Sequence, residues 1–207
     1  MILNTADRLA TEIRKLAEGR DRVLVAIAGP PGAGKSTLAA EICRILGREA
    51  ALVPLDGFHL DNRLLEARGL LDRKGAPETF DVAGLASILT RIKAGGEEVI
   101  YPVFDRDREI AIAGAGVVTT HERIVIVEGN YLLLDPPPWD QLWSFWDITV
   151  MIEEPETVLE DRLSGRWQGY GLSVEEIEQK MRLNDLPNGE MVRSRSAKPG
   201  ITFRPGR

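Results

Sequence analysis

The segment GPPGAGKS, Gly29 to Ser36, constrains the fold of this chain more than any other feature. It follows the apolar run RVLVAIAG (22–29), which is typical of a strand buried on both faces, and it precedes a helical pattern at 35–46. Glycines let such a loop approach a phosphate so closely that backbone N–H groups point at its oxygens. The sequence therefore predicts a phosphate-binding turn between a strand and a helix.

Apolar runs and helical patterns alternate along the rest of the chain. This alternation predicts parallel strands joined by crossover helices, and hence a three-layer α/β domain with a parallel sheet core. No linker divides residues 1–207, so we expect one domain. The further predicted strands are 51–56, 98–105 (followed by a weak hairpin or an excursion at the sheet edge), 123–128, 147–154 and a short one near 191–196; the further predicted helices are one before residue 18, a short one after 60, 81–96, 155–165 and 174–184.

Bulk properties exclude several classes of protein. A net charge of -6 and a pI of about 5.1 argue against bulk nucleic-acid binding. The single cysteine, Cys43, cannot form an internal disulfide, which fits a reducing cytoplasm. Charges interrupt the N-terminal apolar run, and no stretch reaches the roughly 18 apolar residues of a membrane span. We expect a cytoplasmic protein without nucleic-acid or membrane partners; a homodimer is left open.

The glycine-rich loop matches G-x-x-x-x-G-K-[ST] in full, the loop that binds a nucleoside triphosphate. Lys35 would contact the β- and γ-phosphates, and the Ser36 hydroxyl would bind Mg²⁺. A dinucleotide loop, G-x-G-x-x-G, would begin at Gly32 and need glycine where Thr37 stands. The predicted nucleotide-binding residues are Gly29, Pro30, Pro31, Gly32, Ala33, Gly34, Lys35, Ser36 and Thr37.

Two carboxylates follow predicted strands. Glu128 ends the apolar run RIVIVE, and the ends of parallel strands line the ligand crevice of an open sheet. Glu128 is therefore a candidate Mg²⁺ ligand, direct or through water; a solvated strand-end acid is the alternative.

Asp56 ends the apolar run ALVPLD, twenty-one positions after Lys35, and is followed by Gly57. An acid at this distance holds a ribose hydroxyl in dinucleotide-binding proteins. Beside a nucleoside-triphosphate loop it would instead face the γ-phosphate, where it could orient an acceptor hydroxyl and take its proton. A hydrogen-bonded turn aspartate is the remaining alternative.

These motifs together resemble the P-loop kinase family of pantothenate kinase, uridine kinase and phosphoribulokinase. LDGFHLDNRLLEARGLLDRKGAPETFD (55–81) is similar to the pantothenate kinase segment from D-G-F to G-F-P-E-S-Y-D. YPVFD and VEGNYLLLD resemble the P-V-Y-D and E-G motifs of pantothenate and uridine kinases. The resemblance covers about residues 22–167. Overall, the chain most resembles short bacterial kinases provisionally described as fructose-transport-system kinases.

The resemblance implies that Asp56 is a catalytic base, that Glu128 is at the metal, that ATP is the donor and that a small alcohol is the acceptor. The chain departs from the pattern after YPVFD, where it lacks the acceptor-pocket histidine of pantothenate and uridine kinases, and it also lacks the long C-terminal region of bacterial pantothenate kinase. The expected acceptor pocket comprises Asp56, His59, Phe104, Asp105 and Arg106.

EDRLSGRWQGYG resembles the arginine-bearing lid of the family and predicts a helical lid at about 162–172. Arg162 and Arg166, four residues apart, would share one helix face, and Gly165, Gly169 and Gly171 would act as hinges. Closing both guanidinium groups over the transferred phosphoryl group would stabilise its charge. Alternatively, these arginines pair with Glu160 or Asp161.

The sequence thus predicts an ATP-dependent kinase that phosphorylates a hydroxyl of a small metabolite, with Asp56, Lys35, Arg162 and Arg166 as catalytic residues. A sugar such as fructose is the suggested acceptor, and pantothenate or a nucleoside is the alternative. The rival from another class is a P-loop regulatory ATPase or switch. No N-K-x-D motif reads guanine, and Asp56 suits a hydroxyl acceptor better than hydrolysis.

Overall fold

The computed structural model of the chain describes residues 1–206. Within them, the α-helices are α1 (Ala6–Leu16), α2 (Lys35–Leu46), α3 (Asn62–Ala67), α4 (Val82–Ala94), α5 (Glu156–Gly169), α6 (Val174–Lys180) and α7 (Leu186–Arg195). The strands are β1 (Ile2–Leu3), β2 (Val23–Ala28), β3 (Ala50–Pro54), β4 (Val99–Asp105), β5 (Ile110–Val118), β6 (Ile124–Glu128), β7 (Ile148–Ile152) and β8 (Ile201–Phe203). None of the helices formed by these 206 residues is both long and apolar enough to cross a bilayer.

Six strands form one parallel sheet in the order β1-β8-β7-β2-β6-β3. Strand β2 is central and pairs with β6 on one side and β7 on the other. All six residues of β2 are buried, as its continuous apolar run predicts. The parallel sheet with helical crossovers confirms the predicted α/β fold.

Side chains of β2 alternate between two hydrophobic clusters, one on each face of the sheet. Val23, Val25 and Ile27 join the cluster that contains helices α1 and α2, whereas Leu24, Ala26 and Ala28 join the cluster that contains α4. This alternation follows from the two-residue repeat of a strand. The sheet is therefore the middle one of three layers.

Strands β4 and β5 lie outside the main sheet as a two-stranded antiparallel ribbon. The glycine-containing run after 105 is therefore a single strand that pairs with β4, and it is neither a hairpin by itself nor part of the edge of the main sheet. The hydroxyl of Tyr101 donates to the carbonyl of Leu52 at 2.6 Å, which fastens the ribbon to β3. A Cβ atom at Gly57 would collide with the carbonyl oxygen of Pro102. The glycine after Asp56 thus lets the ribbon backbone pack directly on the turn that follows β3.

The predicted final strand near 191–196 is wrong. Residues 186–195 form helix α7, in which Val192 is buried, and the last strand is β8, which pairs with β7 and β1. The predicted helix 174–184 stops being α-helical after Lys180, because residues 181–185 form a π-helical turn. Pro187 has no N–H to donate to the Leu183 carbonyl, and that oxygen accepts from Arg73 Nη1 at 2.7 Å.

Helix α5 continues through Gly165 and Gly169, so these two glycines do not form the expected hinges. Gly171, with φ +80°, lies in the turn between α5 and α6 and is the one predicted hinge glycine outside a helix. Only glycine adopts such a φ readily, so the chain reverses here.

Candidate active site

The predicted phosphate loop and both predicted carboxylates meet at the carboxyl edge of the sheet. In the parallel register Glu128 lies opposite Ile27 of β2 and opposite Pro54 of β3. The loop 29–34 begins one residue after the end of β2, and Asp56 comes two residues after the end of β3. Neighbouring strand ends thus place the loop, Glu128 and Asp56 side by side.

The loop from Gly29 to Gly34 is folded as a cradle over the start of α2. Gly34, with φ +83°, is the N-cap of α2, and Gly32, with φ +80°, packs directly on the backbone of α5. Lys35 Nζ donates to the Pro30 carbonyl at 2.9 Å and is 9% exposed. Burial lowers the pKa of Lys35 to about 8, against the opposing effect of the Glu128 and Asp56 carboxylates. A buried cation thus lies under the cradle.

Ser36 and Glu128 form the candidate metal position. Ser36 Oγ donates to Glu128 Oε1 at 3.0 Å, and Glu128 is 5% exposed. Burial raises the pKa of Glu128, and the Asp56 charge adds to this effect. Residues 1–206 contain no cluster of three histidine, cysteine or acidic side chains that could hold a metal alone. A hydroxyl beside one carboxylate nevertheless fits Mg²⁺, which keeps several waters and binds substrate phosphates.

Asp56 lies in the 3₁₀ turn Leu55–Phe58 and is paired with Arg106, which the turn between β4 and β5 supplies. The Asp56 side chain is 30% exposed, so it remains open to a ligand. Arg106 and Asp56 therefore lie together in the cleft, and the charge of Arg106 holds the carboxylate in place.

Two of the other predicted acceptor residues also line this site, but Asp105 does not. His59 Nδ1 donates to the Asp56 carbonyl at 2.8 Å, and its ring centroid lies 4.9 Å from that of Phe104. Burial lowers the pKa of His59, so its ring is neutral near pH 7. Asp105 Oδ1 instead accepts from the backbone N–H groups of residues 107 and 108, both at 3.0 Å. Its role is to close the ribbon turn.

Two cavities flank the loop. The first, of about 330 Å³, includes Lys35, Ser36, Asp56, His59, Phe104, Arg106 and Glu128. The second, of about 560 Å³, includes Thr37, Arg162, Phe203 and Pro205. Gly32 and Arg166 line both. Arg166 thus stands where the two cavities meet.

The two predicted lid arginines differ in their contacts. Arg162 Nη2 lies 2.8 Å from Oε1 of the buried Glu154, and Arg162 Nη1 donates to the Gly32 carbonyl at 3.2 Å. Pairing is therefore observed for Arg162, but with Glu154 and not with Glu160 or Asp161. Burial is the main cause of the lowered pKa of Lys35, and the charge of Arg166 lowers this pKa further. Of the two lid arginines, Arg166 is thus the one whose charge acts on Lys35.

One end of the first cavity contains none of the predicted site residues. This far end is lined by Lys74, Glu109, Trp167, Tyr170, Lys180, Asn184, Asp185 and Asn188, and the P-loop end by Lys35, Ser36, Glu128 and Arg166. Glu109, the one non-glycine residue with positive φ among those described, bonds to Lys74 through both its carbonyl and its carboxylate. The one signal in the sequence was the polar Asn184–Asp185 pair before Pro187.

The strand, loop and helix, with carboxylates at the two neighbouring strand ends, define a P-loop nucleotide-binding domain. No protein-family model matches the chain. An uncharacterised Escherichia coli K12 protein, YggC, is 39% identical over 176 residues, which are 83% of this chain and 73% of that protein. A Schizosaccharomyces pombe protein provisionally named as a uridine kinase is 31% identical over 216 aligned positions, 97% of this chain and 91% of that protein.

Pantothenate kinases are matched over about half their length: that of Enterococcus faecalis is 33% identical over 143 residues, 66% of this chain and 47% of the enzyme. A solved structure from Silicibacter sp. TM1040, provisionally described as a fructose transport system kinase, is 45% identical with a TM-score of 0.88 and coverage of 96% of this chain and 98% of that one. Phosphoribulokinase from Rhodobacter spheroides, 12% identical with a TM-score of 0.55 over 89% of this chain and 70% of that one, shares the fold.

The chain therefore belongs to the family of P-loop kinases that includes pantothenate kinase, uridine kinase and phosphoribulokinase. This confirms the resemblance inferred from its motifs. The members of this family are small-molecule phosphotransferases.

Proposed function

We propose that this protein transfers the γ-phosphoryl group of ATP to a hydroxyl group of a small metabolite. The observation that carries the proposal is the convergence of the loop, Glu128 and Asp56 at three neighbouring strand ends. This arrangement places a phosphate cradle, a metal position and a proton acceptor within one cleft. We infer that the chain is one kinase domain, in which the segment 162–172, the end of α5 with the turn at Gly171, is the lid.

The two cavities suit the two substrates. The base and ribose of ATP would occupy the second cavity, beyond Thr37, and its phosphates would follow the loop from Gly29 to Thr37. The acceptor would occupy the first cavity, whose volume of about 330 Å³ suits a small metabolite. Arg166, at the junction, would then lie beside the group being transferred.

The reaction requires one bond to form and one to break. Asp56 accepts the proton of the acceptor hydroxyl while that oxygen forms a bond to the γ-phosphorus. The bond between the γ-phosphorus and the β,γ-bridging oxygen breaks, and ADP leaves with its electron pair. The proton on Asp56 then passes to solvent. Arg106 keeps the carboxylate oriented until the acceptor arrives.

Charged groups of the P-loop end stabilise the transferred phosphoryl group. Lys35 contacts the β- and γ-phosphates, and Arg166 contacts the equatorial oxygens as the lid closes. Mg²⁺, held by Ser36 and Glu128, would neutralise developing charge on the β- and γ-phosphate oxygens. Arg162, fixed by Glu154, supports the loop through Gly32.

Among candidate acceptors we favour a sugar such as fructose, which the name of the Silicibacter structure suggests. The relatives named as pantothenate and uridine kinases suggest the two alternatives. His59, Phe104 and Arg106 would contact whichever acceptor binds.

The test is ADP release measured with and without acceptor, in a panel of sugars, polyols, nucleosides and pantothenate. We expect at least one compound to raise the rate well above the rate without acceptor. Lys35→Ala should abolish tight binding of Mg-ATP, measured by calorimetry. ADP release at one rate with every compound and with none would favour a regulatory ATPase and contradict the proposal.

A further inference from the structure

We propose that Arg106 makes the reaction selective for an organic hydroxyl over water, by covering the Asp56 carboxylate until an acceptor displaces it. Water is the alternative acceptor that is always present, at a concentration far above that of any metabolite. A kinase whose base stood open would therefore hydrolyse ATP. This role rests on the proposed kinase function, and it adds to that function the residue that suppresses the side reaction.

Arg106 and Asp56 form a direct ion pair inside the cleft. Arg106 Nη2 donates to Asp56 Oδ2, and among residues 1–206 Arg106 is the only side chain that donates to this carboxylate. A base must face the attacking oxygen with a free lone pair in order to orient it and take its proton. Protonation of either carboxylate oxygen would also lose the attraction to the guanidinium group. A water molecule that enters the cleft therefore meets a base that is already paired.

The backbone of the ribbon turn is held in place, so the side chain of Arg106 is the part that can move. Asp105 Oδ1 closes the turn by accepting from two backbone N–H groups, both at 3.0 Å. Lys74 Nζ donates to the Glu109 carbonyl at 2.9 Å and to its carboxylate at 3.2 Å. Opening of the base thus requires a rotation of the Arg106 side chain and no rearrangement of the ribbon.

The exposure of the pair determines how easily it opens. The side chain of Arg106 is 55% exposed and that of Asp56 is 30% exposed, so solvent weakens their attraction. An acceptor that also contacts the cavity wall, for example at Phe104, brings binding energy that can offset the loss of the pair. A water molecule brings no such remote contacts. The pair therefore distinguishes an acceptor from water by the contacts that each makes away from Asp56.

Arg108 provides a comparison within the same turn. Its Nε lies 3.6 Å from Asp105 Oδ2, its side chain is 71% exposed, and it is not among the residues that line the first cavity. Two arginines of one turn thus pair with two acids, but only Arg106 pairs with the proposed base. Removing Arg108 removes a similar charge and leaves Asp56 covered.

The experiment measures release of inorganic phosphate from Mg-ATP without any acceptor, at saturating ATP. Arg106→Ala should raise this rate about fivefold or more, the order expected for freeing a carboxylate from a partly exposed ion pair. In this reaction the water oxygen forms a bond to the γ-phosphorus and Asp56 takes one of its protons. The bond between the γ-phosphorus and the β,γ-bridging oxygen breaks, and ADP leaves with its electron pair.

Three further variants separate this role from a general loss of structure or charge. Arg106→Ala combined with Asp56→Asn should return to the wild-type rate or below, because the amide cannot take a proton. Arg106→Lys keeps a cation beside Asp56 and should release phosphate more slowly than Arg106→Ala. Arg108→Ala is the matched control and should keep the wild-type rate. The thermal midpoint and the Kd for Mg-ATP show that each variant is folded and binds ATP.

A rate in Arg106→Ala no higher than in the wild type would overturn the role of Arg106. An equal rise in the double variant or in Arg108→Ala would overturn it as well. These results would leave the kinase function in place, because the acceptor panel tests that function separately. Absence of acceptor-dependent ADP release with every compound of the panel would overturn the kinase function, and the role of Arg106 with it.

Discussion

The P-loop end and the far end of the first cavity are built in different ways. At the P-loop end, the groups are backbone N–H groups of one loop and side chains at the end of β6 and two residues after β3, so the sheet itself positions them. At the far end, side chains come from a loop, a ribbon turn, the helices α5, α6 and α7, and the π-helical turn between α6 and α7. The proposed phosphate site is therefore tied to the sheet, and the proposed acceptor site to segments outside it.

The two ends also differ in charge. Lys35 and Arg166 bring positive charge to the P-loop end, where the phosphates of ATP carry the opposite sign. The far end is balanced by ion pairs such as Lys74–Glu109. A change at the P-loop end should therefore affect chemistry or ATP binding, whereas a change at the far end should affect acceptor affinity. Variants that separate kcat from the two KM values test this contrast.

The largest expected effect is that of Asp56→Asn. The amide keeps the size of the carboxylate and one acceptor oxygen but cannot take a proton, so kcat should fall by roughly 10²–10⁴-fold. The Kd for ATP should stay near that of the wild type, because the loop is unchanged. Asp105→Asn is the control: it lies on the ribbon beside the site but only closes a turn. Weakened ATP binding with intact kcat in Asp56→Asn would restore the ribose interpretation.

The next effect separates the two lid arginines. Arg166→Ala should lower kcat by about 10²-fold, the order expected for removing a preorganised charge from the transition state. Arg162→Ala should mainly lower stability, because it leaves the carboxylate of Glu154, whose side chain is 8% exposed, without its partner. The loss should be only about 1–2 kcal/mol, because the arginine side chain is itself 45% exposed and solvent weakens the pair. The measurements are kcat and the free energy of unfolding of each variant. Equal losses of kcat would show that both arginines act on the phosphoryl group.

The P-loop end could be predicted because most of its residues belong to short contiguous sequence motifs. One loop motif indicates which residues would contact a phosphate. In a parallel sheet, the residues at the carboxyl ends of the strands lie along one common edge. Glu128 and Asp56 could therefore be placed beside Lys35 without knowing the strand order. The α/β fold followed from the same alternation of buried strands and helices.

The far end could not be predicted because long-range packing assembles it. Lys74 and Asn184 are 110 positions apart yet share a hydrogen bond, and nothing local in either segment signals the other. The π-helical turn depends on Arg73 reaching Leu183, which no helical pattern reveals. The strand predicted at 191–196 is wrong for a similar reason: so short a run fits either a strand or a helix, and it belongs to α7, in which Asn188, Gly189 and Val192 are buried.

The smallest expected effect concerns the buried cation of the P-loop end. Because the pKa of Lys35 is lowered to about 8, the lysine is largely neutral above that pH in the free protein. Phosphates beside Lys35 Nζ favour its charged form, so binding of ATP at about pH 9 should take up a fraction of a proton. At about pH 7, Lys35 is charged in both the free and the ATP-bound protein, so no proton should be taken up by it. Affinity for ATP should accordingly fall as the pH rises above 8, by at most about tenfold per pH unit.

Calorimetry in two buffers of different ionisation enthalpy measures this proton directly. At about pH 9 ATP is fully ionised, so it adds no proton change of its own there. Lys15→Ala, at an exposed lysine of α1, should bind ATP with the same uptake as the wild type. Equal binding enthalpies in the two buffers at about pH 9 would mean that Lys35 is already charged there. The burial that lowers its pKa would then be offset by Glu128 and Asp56, and the contrast in charge between the two ends would be smaller than the structure indicates.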